Sequence, residues 1–210
     1  HKAIRRQRQM CIRDRYDCGP TSMLNAIIYL FDRDEIPPEV IRNTMLYCLD
    51  CYSKEGIPGK RGTSRAAMMF LSNWLNEFGN LGMMTVSSEY LSGSEVYIGP
   101  GSRINQALSH GGAAVVRLFL DEPHYVLLTG VKDGSILLFD PYYWDGPYEE
   151  KDILIDLEHP RAYNREVPFR YFNREEDVLY ALGKVNAREA VLVYNEKTRV
   201  PVEEVIEYFI

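Results

Sequence analysis

Apolar residues recur at helical spacing in the first half of the chain and in short strand-like runs in the second half. Capping residues mark several of the helical segments, with Ser64 and Ser102 as N-caps and Pro20 and Pro38 early in a first turn. Gly79 and the pair Gly111-Gly112 are typical helix terminators. The pattern predicts helices from Cys18–Pro20 to about Phe31, from Pro37-Pro38 through Leu46, from Ser64 to just before Gly79, and over Arg103–Ser109.

Three runs rich in Val, Leu and Ile then predict strands over residues 113–120, 124–131 and 135–140. A further helix is expected over 174–182, ending at Gly183, and a last strand over 190–194. Helices first and strands later favour the α+β class, with N-terminal helices packed on a mostly antiparallel sheet.

Composition narrows the function classes. The chain has 210 residues, 46% of them hydrophobic, and a net charge of -6. Because binding to duplex nucleic acid depends on cationic surface, nucleic acid is not expected as a partner. The apolar runs fall far short of the roughly 20 residues that a membrane span needs, so no span is expected in this chain.

The first fifteen residues differ from the rest. They hold six Lys or Arg and one acid, and the stretch QMCIRDR has the character of translated sequencing adapter. We therefore treat residues 1–15 as an unreliable or disordered basic arm and predict a single domain over residues 16–210. No signal peptide is visible, which favours the cytoplasm.

Cys48 and Cys51 form an isolated Cys-x-x-Cys pair near the predicted end of a helix. A zinc site needs two further ligands at workable spacing, and no second pair exists. We interpret both cysteines as core or incidental residues and expect neither a metal nor a cofactor.

The segment YDCGPTSMLNAI places Cys18 in the first turn of an apolar helix. The positive end of a helix stabilises a thiolate, and the Cys18 N–H could face a developing oxyanion. Gly19 would let a substrate backbone approach closely. The alternative is a small buried cysteine without chemistry.

A base and its orienting acid follow in PHYVLLTGVKDGSILLFDP, at His124 and Asp140. A three-residue loop, Lys132-Asp133-Gly134, would pair Val131 with Ser135 and put His124 on the same face as Asp140. A two-residue Asp-Gly turn would put His124 on the opposite face. Alone, His124 could be a satisfied strand-end histidine and Asp140 a turn residue.

The motifs around Cys18, His124 and Asp140 resemble those of a known family. DCGPTS at Cys18, HYVLLTGV at His124 and DPYY at Asp140 resemble the papain-like cysteine peptidases that process double-glycine bacteriocin leaders, cysteine peptidase family thirty-nine. The resemblance covers roughly residues 16–145. It implies a papain-like fold, peptide or protein substrates, and Cys18, His124 and Asp140 as nucleophile, base and orienter.

The oxyanion hole departs from the family pattern. The family places a glutamine about six residues before the cysteine, whereas this chain has Ile12 there and its nearest upstream glutamine is Gln9. Either Gln9 supplies that amide or the enzyme is impaired, because losing one such donor costs about 3 kcal/mol. We expect Asp17, Gly19, Tyr125 and Tyr142 to line the substrate cleft.

Three functions remain open from the sequence. The first is a cysteine peptidase that acts through a thioester acyl-enzyme. The second is an acyltransferase that uses the same three residues, and the third is a papain-like binding module without activity. The aromatic residues after Asp140 could wall the cleft or simply cover the edge of the sheet; they are Tyr142, Tyr143, Trp144 and Tyr148.

Overall fold

The structure is a computed structural model that describes residues 17–52, 54–57, 61–142, 144, 146–159 and 162–201. It confirms the predicted α+β class, because helices pack on a sheet in which every strand pairing is antiparallel. The expected arm at 1–15 and Tyr143 lie outside the described residues.

The helices begin where their capping residues predict. Ser64 accepts a hydrogen bond from the Ala67 N–H, and Ser102 accepts one from the Asn105 N–H, so each hydroxyl satisfies a donor of the first turn. Pro38 is the first residue of its helix, where its missing N–H costs nothing. The helices are α1 (Cys18–Leu30), α2 (Pro38–Cys48), α3 (Arg65–Asn80) and α4 (Arg103–Ser109).

The strands form one sheet in the order β1-β7-β2-β3-β4-β6-β5. Four of them, β2, β3, β4 and β7, match the predicted runs, while β1, β5 and β6 were not predicted. Their bounds are β1 (Val86–Ser92), β2 (Ala113–Phe119), β3 (Pro123–Lys132), β4 (Ser135–Phe139), β5 (Leu154–Ile155), β6 (Arg165–Pro168) and β7 (Glu189–Asn195).

The sheet separates two apolar cores. On one face, α1 and α3 bury residues such as Ile27 and Leu71 against Leu127. On the other face, α4 and the segment after β6 cover Val126 and Leu128. Since successive side chains of a strand point to opposite faces, His124 shares a face with Val126, and Tyr125 shares one with Leu127.

The hairpin that joins β3 to β4 differs from the predicted loop. Lys132 pairs with Ser135, which leaves a two-residue turn of Asp133 and Gly134. Both turn residues have positive φ, 47° and 79°, as a type I′ turn requires. The prediction of a three-residue loop is therefore wrong.

A bulge restores the register that His124 and Asp140 need. Pairing shifts by one residue between Leu128 and Gly130, so Thr129 is the extra residue, and Leu127 then pairs with Phe139. Val126 therefore lies beside Asp140. The three-residue loop, although wrong, predicted the same neighbours. The Tyr29 hydroxyl of α1 donates a 3.1 Å hydrogen bond to the Thr129 carbonyl, which holds the bulge in place.

The predicted helix over 174–182 is also wrong, because the chain is irregular there. Long-range bonds replace the helical ones: the Tyr180 N–H donates to the Phe119 carbonyl, and the Leu182 N–H donates to the Phe172 carbonyl. In this segment, tertiary hydrogen bonds thus override a local sequence pattern that is compatible with a helix.

The prediction that α3 ends before Gly79 needs a smaller correction. The helix continues to Asn80. A Cβ on Gly79 would overlap the Val86 carbonyl, so this glycine allows β1 to pass close to α3. Its role is close packing.

The type I′ turn predicts the effect of replacing Asp133. Asp133→Ala should lower the free energy of unfolding by about 1 kcal/mol, because alanine tolerates a left-handed conformation less well than aspartate does. Asp133→Asn should leave stability nearly unchanged. Urea unfolding followed by circular dichroism measures both.

Asp121→Ala, at an exposed aspartate in the connection before β3, controls for the loss of a surface charge. If Asp133→Ala were as stable as Asp121→Ala, the two-residue turn would be contradicted.

Candidate functional site

Cys18 is the first residue of α1 and is partly exposed. At this position its backbone N–H belongs to the first four of the helix, which have no partner within the helix. The sulfur therefore lies beside the positive end of α1, as the sequence predicts.

His124 lies at the end of the sheet, as the second residue of β3. Its Nε2 lies 2.8 Å from Asp140 Oδ1, and the Cys18 side chain lies close enough to the ring to raise its pKa. Because Nε2 contacts Asp140, Nδ1 is the ring nitrogen left for the sulfur. The structure thus brings together the three side chains that the sequence singles out.

The electrostatics of the pair favour an ionised state. Burial lowers the pKa of His124, but the Asp140 carboxylate and the Cys18 side chain outweigh that effect and raise it from 6.5 to about 10. Burial raises the pKa of Asp140, but the charge of His124, its hydrogen bond and the Tyr142 N–H lower it overall. An imidazolium therefore lies between the Asp140 carboxylate and the Cys18 side chain near neutral pH.

Two further contacts hold β3, the strand that carries His124. The Ser22 hydroxyl, one turn after Cys18, donates a 2.9 Å hydrogen bond to the Tyr125 carbonyl, next to His124. The Tyr125 hydroxyl donates to buried Glu189, 2.9 Å away, which also pairs with Arg117 at 3.2 Å. The Ser22 contact fixes this strand relative to α1, which carries Cys18, and the Glu189 contact fixes it relative to β7.

Asp140 is fully buried and is held by residues that sequence reasoning missed. The Asn164 amide clamps its backbone, donating to the Asp140 carbonyl and accepting from the Asp140 N–H, both at 2.8 Å. The Tyr180 hydroxyl donates to Asp140 Oδ2 at 3.1 Å. No local sequence signal points to either residue. Asn164 directly precedes β6, and Tyr180 lies in the segment 174–182 that the sequence predicts as a helix.

The four residues expected to line the substrate cleft, which are Asp17, Gly19, Tyr125 and Tyr142, differ from one another in their environment. A Cβ on Gly19 would overlap the Thr63 side chain, so the space there is occupied by protein. Tyr125 is buried, and Tyr142 donates its N–H to Asp140 Oδ1. Asp17 precedes α1 and accepts the Thr21 N–H through its carbonyl.

The sequence also singles out Gln9 as a possible oxyanion-hole residue and the aromatic residues that follow Asp140. Gln9 and Ile12 lie outside the described residues. Tyr148 lies behind Asp140, where its hydroxyl is 3.0 Å from that of Tyr180. Trp144 is partly exposed, and its carbonyl accepts a hydrogen bond from Arg165.

Cys48 is the last residue of α2 and is fully buried, while Cys51 is partly exposed, and both are free thiols. Burial raises the pKa of Cys48 to about 12, so this sulfur is held as a neutral thiol. Within the described ranges, no three His, Cys, Asp or Glu side chains gather as a metal ion would require. In the same ranges no helix combines the length and apolarity needed to cross a membrane.

Of the comparisons with known proteins, only the one with solved structures gave matches. No family model matches the sequence, and no curated protein matches it significantly. Among solved structures, the chain is similar to a double-glycine motif protease from an AMS/PCAT transporter, crystallised with its leader peptide. The two are 12% identical, the match covers 91% of this chain and 94% of that one, and the TM-score is 0.41.

The raised pKa of His124 predicts its titration. The ring should titrate near pH 10, and Asp140→Asn should move the midpoint down toward 6.5, because the facing negative charge is lost. A group whose pKa is raised by folding stabilises the protein fully below its unfolded value and loses that effect as pH rises through the folded value. The stability contributed by His124 should thus be full below pH 6.5 and disappear toward pH 10. NMR of 13C-labelled histidine and urea unfolding measure the two effects.

Asp156→Asn is the matched control, because it removes the carboxylate from a separate aspartate–histidine pair, that of Asp156 with His159. It should leave the His124 resonance unchanged. A His124 midpoint near 6.5 in the unsubstituted protein would contradict the electrostatic interpretation.

Proposed function

We propose that the protein is a cysteine peptidase in which Cys18 is the nucleophile, His124 the acid and base, and Asp140 the residue that orients the ring. The observation that carries the proposal is that Cys18, the first residue of α1, acts on the His124 ring while His124 Nε2 is hydrogen-bonded to Asp140. A nucleophile, a base and a third group that orients the base are the parts that covalent hydrolysis needs.

In the first half of the reaction, Cys18 Sγ, whose proton has passed to His124 Nδ1, attacks the carbonyl carbon of a peptide bond as a thiolate. The oxygen of the tetrahedral intermediate takes up the negative charge and accepts from the Cys18 N–H at the helix end. His124 Nδ1 then donates its proton to the leaving amine nitrogen, the C–N bond breaks, and a thioester remains on Cys18. Because the pKa of His124 is about 10, the ring holds that proton at neutral pH.

In the second half, a water molecule loses a proton to the now neutral His124 Nδ1 and attacks the thioester carbonyl. The C–S bond breaks, the carboxylic acid leaves, and Cys18 is regenerated as a thiolate beside the imidazolium. Asp140 keeps its charge throughout and holds Nε2, so Nδ1 faces the sulfur in both halves.

The proposed substrates are peptides. The motifs around Cys18, His124 and Asp140 resemble those of peptidases that process leaders ending in two glycines, which makes such leaders the first substrates to test. No step requires a metal or an organic cofactor, because the sulfur and the ring supply the nucleophile and the proton.

Removing the nucleophile should abolish turnover. Cys18→Ala should lower kcat/KM by at least about 1,000-fold while the protein stays folded, since no other group replaces the attacking sulfur. Cleavage of a double-glycine leader peptide and of a mixed peptide library, followed by mass spectrometry, measures the change. A thioester adduct on Cys18 should also appear when the reaction is quenched in acid.

Cys51→Ala is the control, because Cys51 is also a free and partly exposed thiol. It should keep full activity. Unchanged cleavage by Cys18→Ala would end the proposal, and products carrying an added amine in place of water would identify an acyltransferase with the same residues.

A further inference from the structure

Behind Asp140, a row of polar groups runs inward from the site. Tyr180 Oη lies 3.1 Å from Asp140 Oδ2 and 3.0 Å from the Tyr148 hydroxyl, and Arg165 Nε donates to Tyr148 Oη at 3.1 Å. Arg165 and Tyr180 are each only 1% exposed. The row therefore connects a buried cation to a buried carboxylate through two phenols.

The donors in this row can point in only one direction. A guanidinium has no acceptor, so Tyr148 Oη must accept from Arg165 and use its own proton for Tyr180. A carboxylate has no donor, so Tyr180 must use its proton for Asp140. Each phenol accepts from one side and donates to the other, which polarises the series toward Asp140.

The backbone of Tyr180 indicates that its position is specifically enforced. Its φ is 56°, in the left-handed region that bulky residues rarely adopt. The Tyr180 N–H donates to the Phe119 carbonyl at the end of β2, and the Ala181 carbonyl accepts the Phe119 N–H. Strained residues of this kind persist where the surrounding structure over-determines them, and they cluster at functional sites.

Arg165 has no direct carboxylate partner in this row, although its other nitrogens are satisfied. Its Nη atoms donate to the Asn164 and Trp144 carbonyls, at 2.8 and 2.6 Å. Burying a charge without a counter-charge is costly, and Asp140 is the acid whose field acts on this guanidinium. Arg165 and Asp140 are therefore opposite charges at the two ends of the row, joined through the two tyrosines.

We propose that Tyr180, supported by Tyr148 and Arg165, is a positioning residue for the site, because its hydroxyl holds Asp140 Oδ2 so that Oδ1 stays aimed at His124 Nε2. The proposal rests on the proposed function for its catalytic consequence. Its structural consequence, the orientation and protonation of His124, stands independently of peptide cleavage.

The groups that bear on His124 come from several elements. Cys18 faces the ring from α1, and Asp140 faces it from the end of β4. Tyr180, Tyr148 and Arg165 act on Asp140 from behind. Without the Tyr180 hydroxyl, Oδ2 would be buried with no donor from this side, so the carboxylate would rotate away from the ring or take up a proton. Either change weakens the negative field at His124.

The test replaces the Tyr180 hydroxyl alone. Tyr180→Phe should lower kcat/KM by about 10- to 100-fold, mainly through kcat, since a misplaced ring affects the proton transfers and not substrate binding. The alkaline limb of the pH–rate profile and the NMR titration midpoint of His124 should both move to lower pH. Tyr148→Phe should shift them in the same direction by a smaller amount.

Tyr171→Phe is the matched control, because it removes another tyrosine hydroxyl that donates to an aspartate, Asp152, which is not part of the row. It should change neither the profile nor the titration. Unshifted titration and an unshifted alkaline limb in folded Tyr180→Phe would overturn the proposal, even if activity fell. If Tyr180→Phe did not fold, Tyr148→Phe would decide by the same readouts. If the unsubstituted protein cleaved no peptide, the His124 titration alone would decide the positioning role, and the peptidase proposal would fail separately.

Discussion

A single hydrogen bond, from His124 Nε2 to the buried carboxylate of Asp140, requires both side chains on one face of the sheet. That condition depends on one extra residue, Thr129. Without the bulge, the two-residue turn at Asp133-Gly134 would pair Leu127 with Asp140 and send His124 to the other face. The arrangement that supports the proposed chemistry is therefore a consequence of strand register, several residues away from either side chain.

Helix α1 holds this register at two points. Ser22 binds the Tyr125 carbonyl beside His124, and Tyr29 binds the Thr129 carbonyl at the bulge. The two contacts lie about two turns apart on the helix that begins with Cys18. The same element therefore carries the sulfur, locates the strand end that carries the imidazole, and stabilises the irregularity that brings the carboxylate within reach.

Charge is balanced separately on the two faces of β3. On one face, Glu189 is buried with Arg117 and the Tyr125 hydroxyl. On the other, Asp140 contacts His124 and is linked to Arg165 through Tyr180 and Tyr148. Burying ionised groups is unfavourable unless they are paired or hydrogen-bonded. Glu189 is paired with Arg117, Asp140 is paired with His124, and Arg165 donates hydrogen bonds from all three of its nitrogens. The strand is consequently held by polar networks from both sides, which suits a site that must keep its geometry within a fraction of an ångström.

The sequence alone determined the four helices α1 to α4 and the identity of the three candidate residues. Caps such as Ser64 and Ser102, and the apolar spacing of α1, act through neighbours within one or two turns, so their effect can be read locally. The tertiary structure decided the bulge at Thr129, the irregular course of 174–182 and the placement of Tyr180 against Asp140. Each of these depends on partners tens to a hundred residues away, such as Tyr29 for Thr129 and Phe119 for Tyr180, and no local pattern records such a contact.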